Sequence, residues 1–264
     1  MEGINLAKNK NTKVMFVLPD QHYARGDCLQ GGVDKAAESV ALQACKLIKP
    51  DIFVNLGDAG EWSSVSPYEF AKRSKRPSAE VTKPLLRRDI EAVNDGLDRW
   101  DKVIPKNCEK HFIEGNHELW LRNYAEEEAE PGYLPQRAMR LAERGYRFHP
   151  YGEYVKFNSL RMYHGGHYDG EAHAKVHLLK TGVSVLYGHN HGKQEFGLST
   201  LDGERSAWCI GCIAKLKKPF LKGRPTDWRS CFATVHLYDD NTYQVTTYDI
   251  IRGRCNVWGK EIVA

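Results

Sequence analysis

No run of about 18 consecutive apolar residues occurs anywhere in this 264-residue chain, which argues against a membrane-spanning helix. The opening segment MEGINLAKNKNTK has an early acid, scattered lysines and no apolar block, so it does not read as a secretory signal. The expectation is a cytoplasmic protein with no membrane partner. Internal repeats, low-complexity tracts and long linkers are also missing, and residues 1–264 therefore read as one domain. Cysteine is too sparse and too scattered for a disulfide framework: seven residues, an odd number, fit a reducing compartment better. Cys209 and Cys212 have CxxC spacing, but no second such pair exists and the stretch AWCIGCIA around them is apolar. They read as core rather than as a zinc or redox site.

What is present is the composition of an ordinary globular protein, 41% hydrophobic and 27% charged. The net charge of +4 is unevenly placed. Residues 71–88 carry seven Lys/Arg against one Glu, and residues 213–230 carry six against one Asp. Glutamates 126–128 form a counterweight. Such basic segments suit a polyanion, and equally suit a solvated face.

The short apolar runs share one habit. KVMFVLPDQH, DIFVNLGD, KHFIEGNHE, LRMYHGGH and SVLYGHNH each break into Asp, Asn, His and Gly, the pattern of buried strands followed by tight turns. Between the first two, DKAAESVALQACKLIKP has helical periodicity and ends at Pro50, giving a β-α-β opening. Residues 82–101 and 134–147 also read as helices, and 231–250 as a hairpin turning at Asp239–Asn241. Residues 61–109 read as a basic, partly helical insertion near the strand ends.

Ligands of open α/β sheets bind beyond the carboxyl ends of strands. Here that edge collects Asp20, His22, Asp58, Asn116, His117, His164, His189 and His191. Any one of them is ordinary turn chemistry; eight at five strand ends are not. In an extended chain His189 and His191, two apart, point the same way. Imidazole, carboxylate and carboxamide without thiolate suit divalent Mn, Fe or Zn. The set is too large for one ion and the right size for two sharing a carboxylate.

The order Asp20-Gln21-His22, Gly57-Asp58, Gly115-Asn116-His117-Glu118, His164-Gly165 and Gly188-His189-Asn190-His191 resembles the calcineurin-like metallophosphoesterases, over roughly residues 14 to 191. The resemblance implies a four-layer α/β/β/α sandwich of two mixed sheets flanked by helices. It implies one ion held by Asp20, His22, Asp58 and His191, and a second by Asp58, Asn116, His164 and His189. Mn is the first expectation for both, with Fe, Zn, Ni and Mg as alternatives. His117 would be the general acid, and Glu61, in the place of a second carboxylate, would orient it. His164 rather than His167 is taken as the ligand because it directly ends its strand.

One departure stands out. Relatives that carry GDxVDRG grip phosphate with an arginine, whereas this chain has Trp62 in that place. Trp62 at the mouth of the site, His167, Lys215, Lys217 and Lys218 are the candidate substrate contacts. With Trp208, Phe220 and Trp228 near the basic segments, the first expectation is a phosphodiesterase or nuclease acting on DNA, RNA or a nucleotide. A phosphomonoesterase or nucleotide pyrophosphatase would use the same metal site. A non-catalytic scaffold on this fold is the third reading.

Overall fold

The computed structural model describes residues 12–29, 31–70 and 77–264, for 69 and 70 the backbone only. Of the opening segment, residues 1–11 lie outside the described residues, as do 71–76 of the first basic run. β1 (Lys13–Leu18), α1 (Lys35–Ile48) and β2 (Ile52–Asn55) make the expected opening. Asp34 starts α1, its carboxylate accepting from the N–H groups of Ala36 and Ala37 at 2.9 and 3.1 Å. There follow α2 (Pro67–Phe70), α3 (Ala79–Asp101), β3 (Glu109–Ile113), α4 (Asn116–Glu127), α5 (Pro135–Ala138) and β4 (Tyr146–His149). The second half holds β5 (Val155–Phe157), β6 (Leu160–Tyr163), α6 (His173–Thr181), β7 (Val185–Tyr187), β8 (Lys193–Thr200) and β9 (Gly203–Ile210). β10 (Cys231–Leu237), β11 (Tyr243–Asp249), β12 (Arg254–Val257) and β13 (Lys260–Val263) complete the chain.

Six strands form one mixed sheet in the order β11-β10-β1-β2-β3-β4, with β1 to β4 parallel. Five form a second, β5-β6-β7-β9-β8, with β6, β7 and β9 parallel, and β12 and β13 pair antiparallel as a separate ribbon. Alternation along β1 sets the layers. Val14, Phe16 and Leu18 join Val40 and Ala44 of α1 and Leu97 and Trp100 of α3 in one core. Met15 and Val17, on the opposite face, meet Met162, Leu186 and Ile210 of the second sheet. On that sheet's far face Val185, Tyr187 and Cys209 pack with Ala174 and Leu178 of α6. The result is the α/β/β/α sandwich. Its large side chains, among them Phe16, Phe53, Phe112 and Trp100, are fully buried, and each such burial is worth roughly 1.5–3 kcal/mol.

The expected helix over 134–147 shrinks to the single turn of α5. The Asn94 amide donates to the Ala138 carbonyl at 2.9 Å, Arg140 adopts φ 53°, and the chain turns into β4. A tertiary hydrogen bond there takes the place of helix propagation. All seven cysteines are free and six are buried, Cys209 and Cys212 included. No described helix is long and apolar enough to cross a membrane.

Candidate metal centre

The carboxyl ends of β1, β2, β3, β6 and β7 feed loops that converge between the two sheets, carrying Asp20 and His22, Asp58, Asn116 and His117, His164, and His189 and His191 respectively. Backbone bonds lock these loops together. The N–H of His22 donates to the Asp58 carbonyl at 2.9 Å, and the His189 N–H donates to the Asp20 carboxylate at 3.1 Å. The side chains of Gln21 and Asn55 pair reciprocally at 2.9 and 3.2 Å. Gly115 and Gly188 leave no room for a side chain, since a Cβ on either would run into the Asp58 or Asp20 carboxylate. His22, Asp58, His189 and His191 all have φ between 47° and 64°. Non-glycine residues in this region each cost on the order of 1 kcal/mol and gather at functional sites.

Two buried groups of donor atoms result. In the first, His22 Nε2 lies 3.0 Å from His191 Nε2, and His191 Nε2 lies 3.2 Å from Asp20 Oδ2. In the second, His164 Nε2 lies 2.9 Å from Asn116 Oδ1, 3.3 Å from Asp58 Oδ2 and 3.3 Å from His189 Nδ1. Asp58 Oδ2 is also 3.8 Å from His22 Nε2, so this carboxylate stands between the groups.

The donor set fits cations, by the following hydrogen-bond argument. His164 Nδ1 faces the Leu56 carbonyl at 2.8 Å, which assigns its proton to that atom and leaves Nε2 aimed at three acceptors. His22 Nδ1 lies 3.1 Å from Glu61 Oε2, and its Nε2 faces His191 Nε2 at 3.0 Å. Carboxylates, an amide oxygen and imidazole nitrogens drawn this close together call for positive charge among them. Acid–base behaviour agrees. Burial opposes a charged His164, but Asp58 outweighs it and raises the imidazole to about 10. Burial lowers His22 and His189 to about 4, keeping their lone pairs free. Burial also resists charge on Asp58, yet His164 and His117 hold it well below the usual carboxylate range. Among the described residues, Asp20, His22 and His191 form one group able to hold a metal ion, Asp58, His164 and His189 another, and His22, Glu61 and His117 a third that shares His22 with the first.

Several expected positions change. His189 and His191 do not face one point: with φ 64° and 57° the backbone between them is not extended, and each ring joins a different group. The Glu61 carboxylate does not orient His117. It bonds His22 and the Lys218 ammonium at 3.2 Å, and only its backbone carbonyl meets His117 Nδ1, at 2.9 Å. Trp62 is not at the mouth; it is fully buried, and its indole N–H donates to Glu118 at 2.9 Å. His167 is exposed with its ring against Tyr151, Tyr154 and Tyr163, and does not line the cavity. Lys215 and Lys217 are exposed, and only Lys218 turns inward. Trp208 packs on Tyr243 between β9 and β11, away from the centre.

Four residues enter that the strand-end pattern did not single out. Glu118, fully buried, accepts from the N–H groups of Asp58, Gly60 and Gly115 at 2.7, 3.2 and 3.1 Å. Burial and the neighbouring Asp58 raise it to about 7. Its place in GNHE, at the third position of α4, was the available signal. Asp169 lies 3.5 Å from the outer nitrogen of His189. Tyr68 and Trp120 line a cavity of about 640 Å³ over the centre, whose walls include His22, His117, His191, Lys218 and Trp228.

No family model and no curated protein matches the chain. Among solved structures it is similar to YfcE, a phosphoesterase from E. coli, at 14% identity and a TM-score of 0.38 over 88% of this chain and 98% of that one. It is also similar to Vps29 of Chaetomium thermophilum, at 11% identity and a TM-score of 0.45 over 95% and 97% of the two chains. A third likeness is to TT1561 of Thermus thermophilus, at 11% identity and 0.35 over 89% and 98%.

Proposed function

We propose that this protein is a calcineurin-like, dinuclear-metal phosphoester hydrolase and that its substrate is a phosphodiester of nucleic acid. The observation that carries the reading is the convergence of imidazole nitrogens, carboxylates and an amide oxygen on two points with Asp58 between them. Asp20, His22, Asp58 and His191 would hold one ion, and Asp58, Asn116, His164 and His189 the other. Two divalent ions bound there, Mn first, would neutralise phosphoryl charge and make hydroxide available near neutral pH.

The chain's own groups supply the rest. His117 Nδ1 is held by the Glu61 carbonyl and its ring lies edge-on to His22 at 4.6 Å, so Nε2 turns to the cavity. From there it hydrogen-bonds the leaving oxygen and hands it a proton. Its backbone N–H, at the start of α4, donates to Asp58 Oδ1 at 2.9 Å and steadies the shared carboxylate. Lys218 is the only lysine or arginine among the described lining residues, and Glu61 already neutralises it. A single, shared cation suits the one charge of a diester better than the two of a monoester.

The test is hydrolysis by chelator-stripped protein, with Mn²⁺ restored, of matched aryl phosphodiester and phosphomonoester, beside single- and double-stranded DNA, with Asp58→Ala as the blank. Cleavage of the diester and DNA is expected. Cleavage of the monoester alone would redirect the reading to small phosphorylated substrates.

A further inference from the structure

Aromatic rings line the centre on two sides. On the α4 side Trp120, one helical turn past His117, sets its ring 3.8 Å from that imidazole, and Tyr68 of α2 meets Trp120 at 5.5 Å. On the other side Trp228 lies 4.5 Å from the His191 ring and Phe220 lies 6.2 Å from Trp228. His22 links the two, its ring 4.6 Å from His117 and 4.9 Å from His191. The rings thus run from one pair to the other across the candidate metal centre.

Of the four rings only Trp120 packs against a buried core. Tyr68 is 77% exposed and Phe220 54%, and neither they nor Trp228 belong to the buried clusters. Their placement is nonetheless constrained. Trp228 bridges to Gly192, and the next residue's N–H donates to the His191 carbonyl at 3.0 Å, which ties this wall to a ligand loop. Lys218 Nζ stands 5.9 Å from both the Phe220 and Trp228 rings. Beyond that pair, Lys215, Lys217, Lys222, Arg224 and Arg229 are exposed.

We propose that the two aromatic pairs are stacking platforms for the unpaired bases on either side of the scissile phosphate, and that the substrate is therefore a single strand. This rests on the phosphodiesterase reading above. Bases stack on exposed rings without sequence preference, whereas paired bases in a duplex bury their faces in their neighbours. Lys218 beside the Phe220 and Trp228 platform, with the exposed cations of the same segment, matches the phosphates of a strand on that side.

The test measures binding by chelator-stripped protein, which does not turn over, of three probes of equal length: single-stranded oligothymidylate, the same strand with abasic sites in place of its bases, and a duplex. The thymidylate strand should bind about tenfold or more tighter than the abasic strand. Phe220→Leu and Tyr68→Leu, at exposed positions that leave folding intact, should each shrink that ratio several-fold, and quenching of tryptophan fluorescence should follow the thymidylate strand only. Equal binding of thymidylate and abasic strands, preference for the duplex, or a ratio untouched by both substitutions overturns the proposal. Mn²⁺-dependent cleavage of a small aryl diester by the unaltered protein decides the phosphodiesterase reading separately.

Discussion

The indole of Trp62 donates to the carboxylate of Glu118 at 2.9 Å, and both side chains are fully buried beneath the loop that carries Asp58. Since Glu118 also takes the N–H of Asp58 itself, Glu118→Gln would turn an amide donor towards N–H groups that need an acceptor. Unfolding stability should fall by about 1–3 kcal/mol, and metal affinity by about 10- to 100-fold. Calorimetry and metal titration check both. Unchanged metal affinity would confine Glu118 to a role in the fold.

Asp58→Ala removes the one carboxylate within 4 Å of nitrogens in both groups. Bound metal should drop from two ions per chain, and phosphodiester hydrolysis should fall to background with it. Elemental analysis alongside the rate assay reads both. Two ions retained at full activity would sink the dinuclear assignment.

His117→Ala should separate the two properties. Its ring lies outside the Asp20, His22 and His191 group and the Asp58, His164 and His189 group, although it joins His22 and Glu61 in a third; metal content should persist while turnover falls about 10²- to 10⁴-fold. Loss of metal would instead make His117 part of the ligand shell.

Lys215 and Lys217 are exposed, in the segment that leads to the cavity residue Lys218. Neutralising both should weaken single-strand binding and flatten the dependence of log affinity on log salt by about 1 unit or slightly more. An unaltered slope, measured by fluorescence titration across salt concentrations, would remove these residues from the substrate path.

His177 is buried with its outer nitrogen 2.9 Å from the Tyr168 carbonyl, and burial lowers its pKa to about 4. The unfolded chain takes up this proton near pH 6.5 and the folded chain does not. Folding stability is therefore unaffected by this group above pH 6.5 and is lost as pH falls from there towards 4, by up to ~3 kcal/mol. Denaturant unfolding at pH 7.5 and 5 should show a smaller difference for His177→Gln than for the unaltered chain. Equal differences would show that His177 does not carry the effect.

Local pattern was enough to find the centre. Apolar residues of β1, β2 and β3 divide between the first and second cores and those of β6 and β7 between the second and third, and the Asp, Asn and His that follow each apolar run gather at one edge of parallel strands. Where the loop side chains go was not legible. His22, Asp58, Trp62, His189 and His191 have φ between 47° and 64°, so the i, i+2 rule of extended chain fails at the residues that matter most. Trp62 could be given a place only by the buried carboxylate 56 positions later that accepts its N–H, and α5 stops where a side chain of α3 takes its carbonyl. The approach of Trp120 and Trp228 to opposite ends of the His117, His22 and His191 ring series likewise depends on α4 and a distant loop meeting in space. Periodicity is a property of neighbours along the chain and therefore determined the layers and the edge that carries the candidate ligands; the pairing of distant side chains, which builds the cavity walls, was decided by tertiary packing alone.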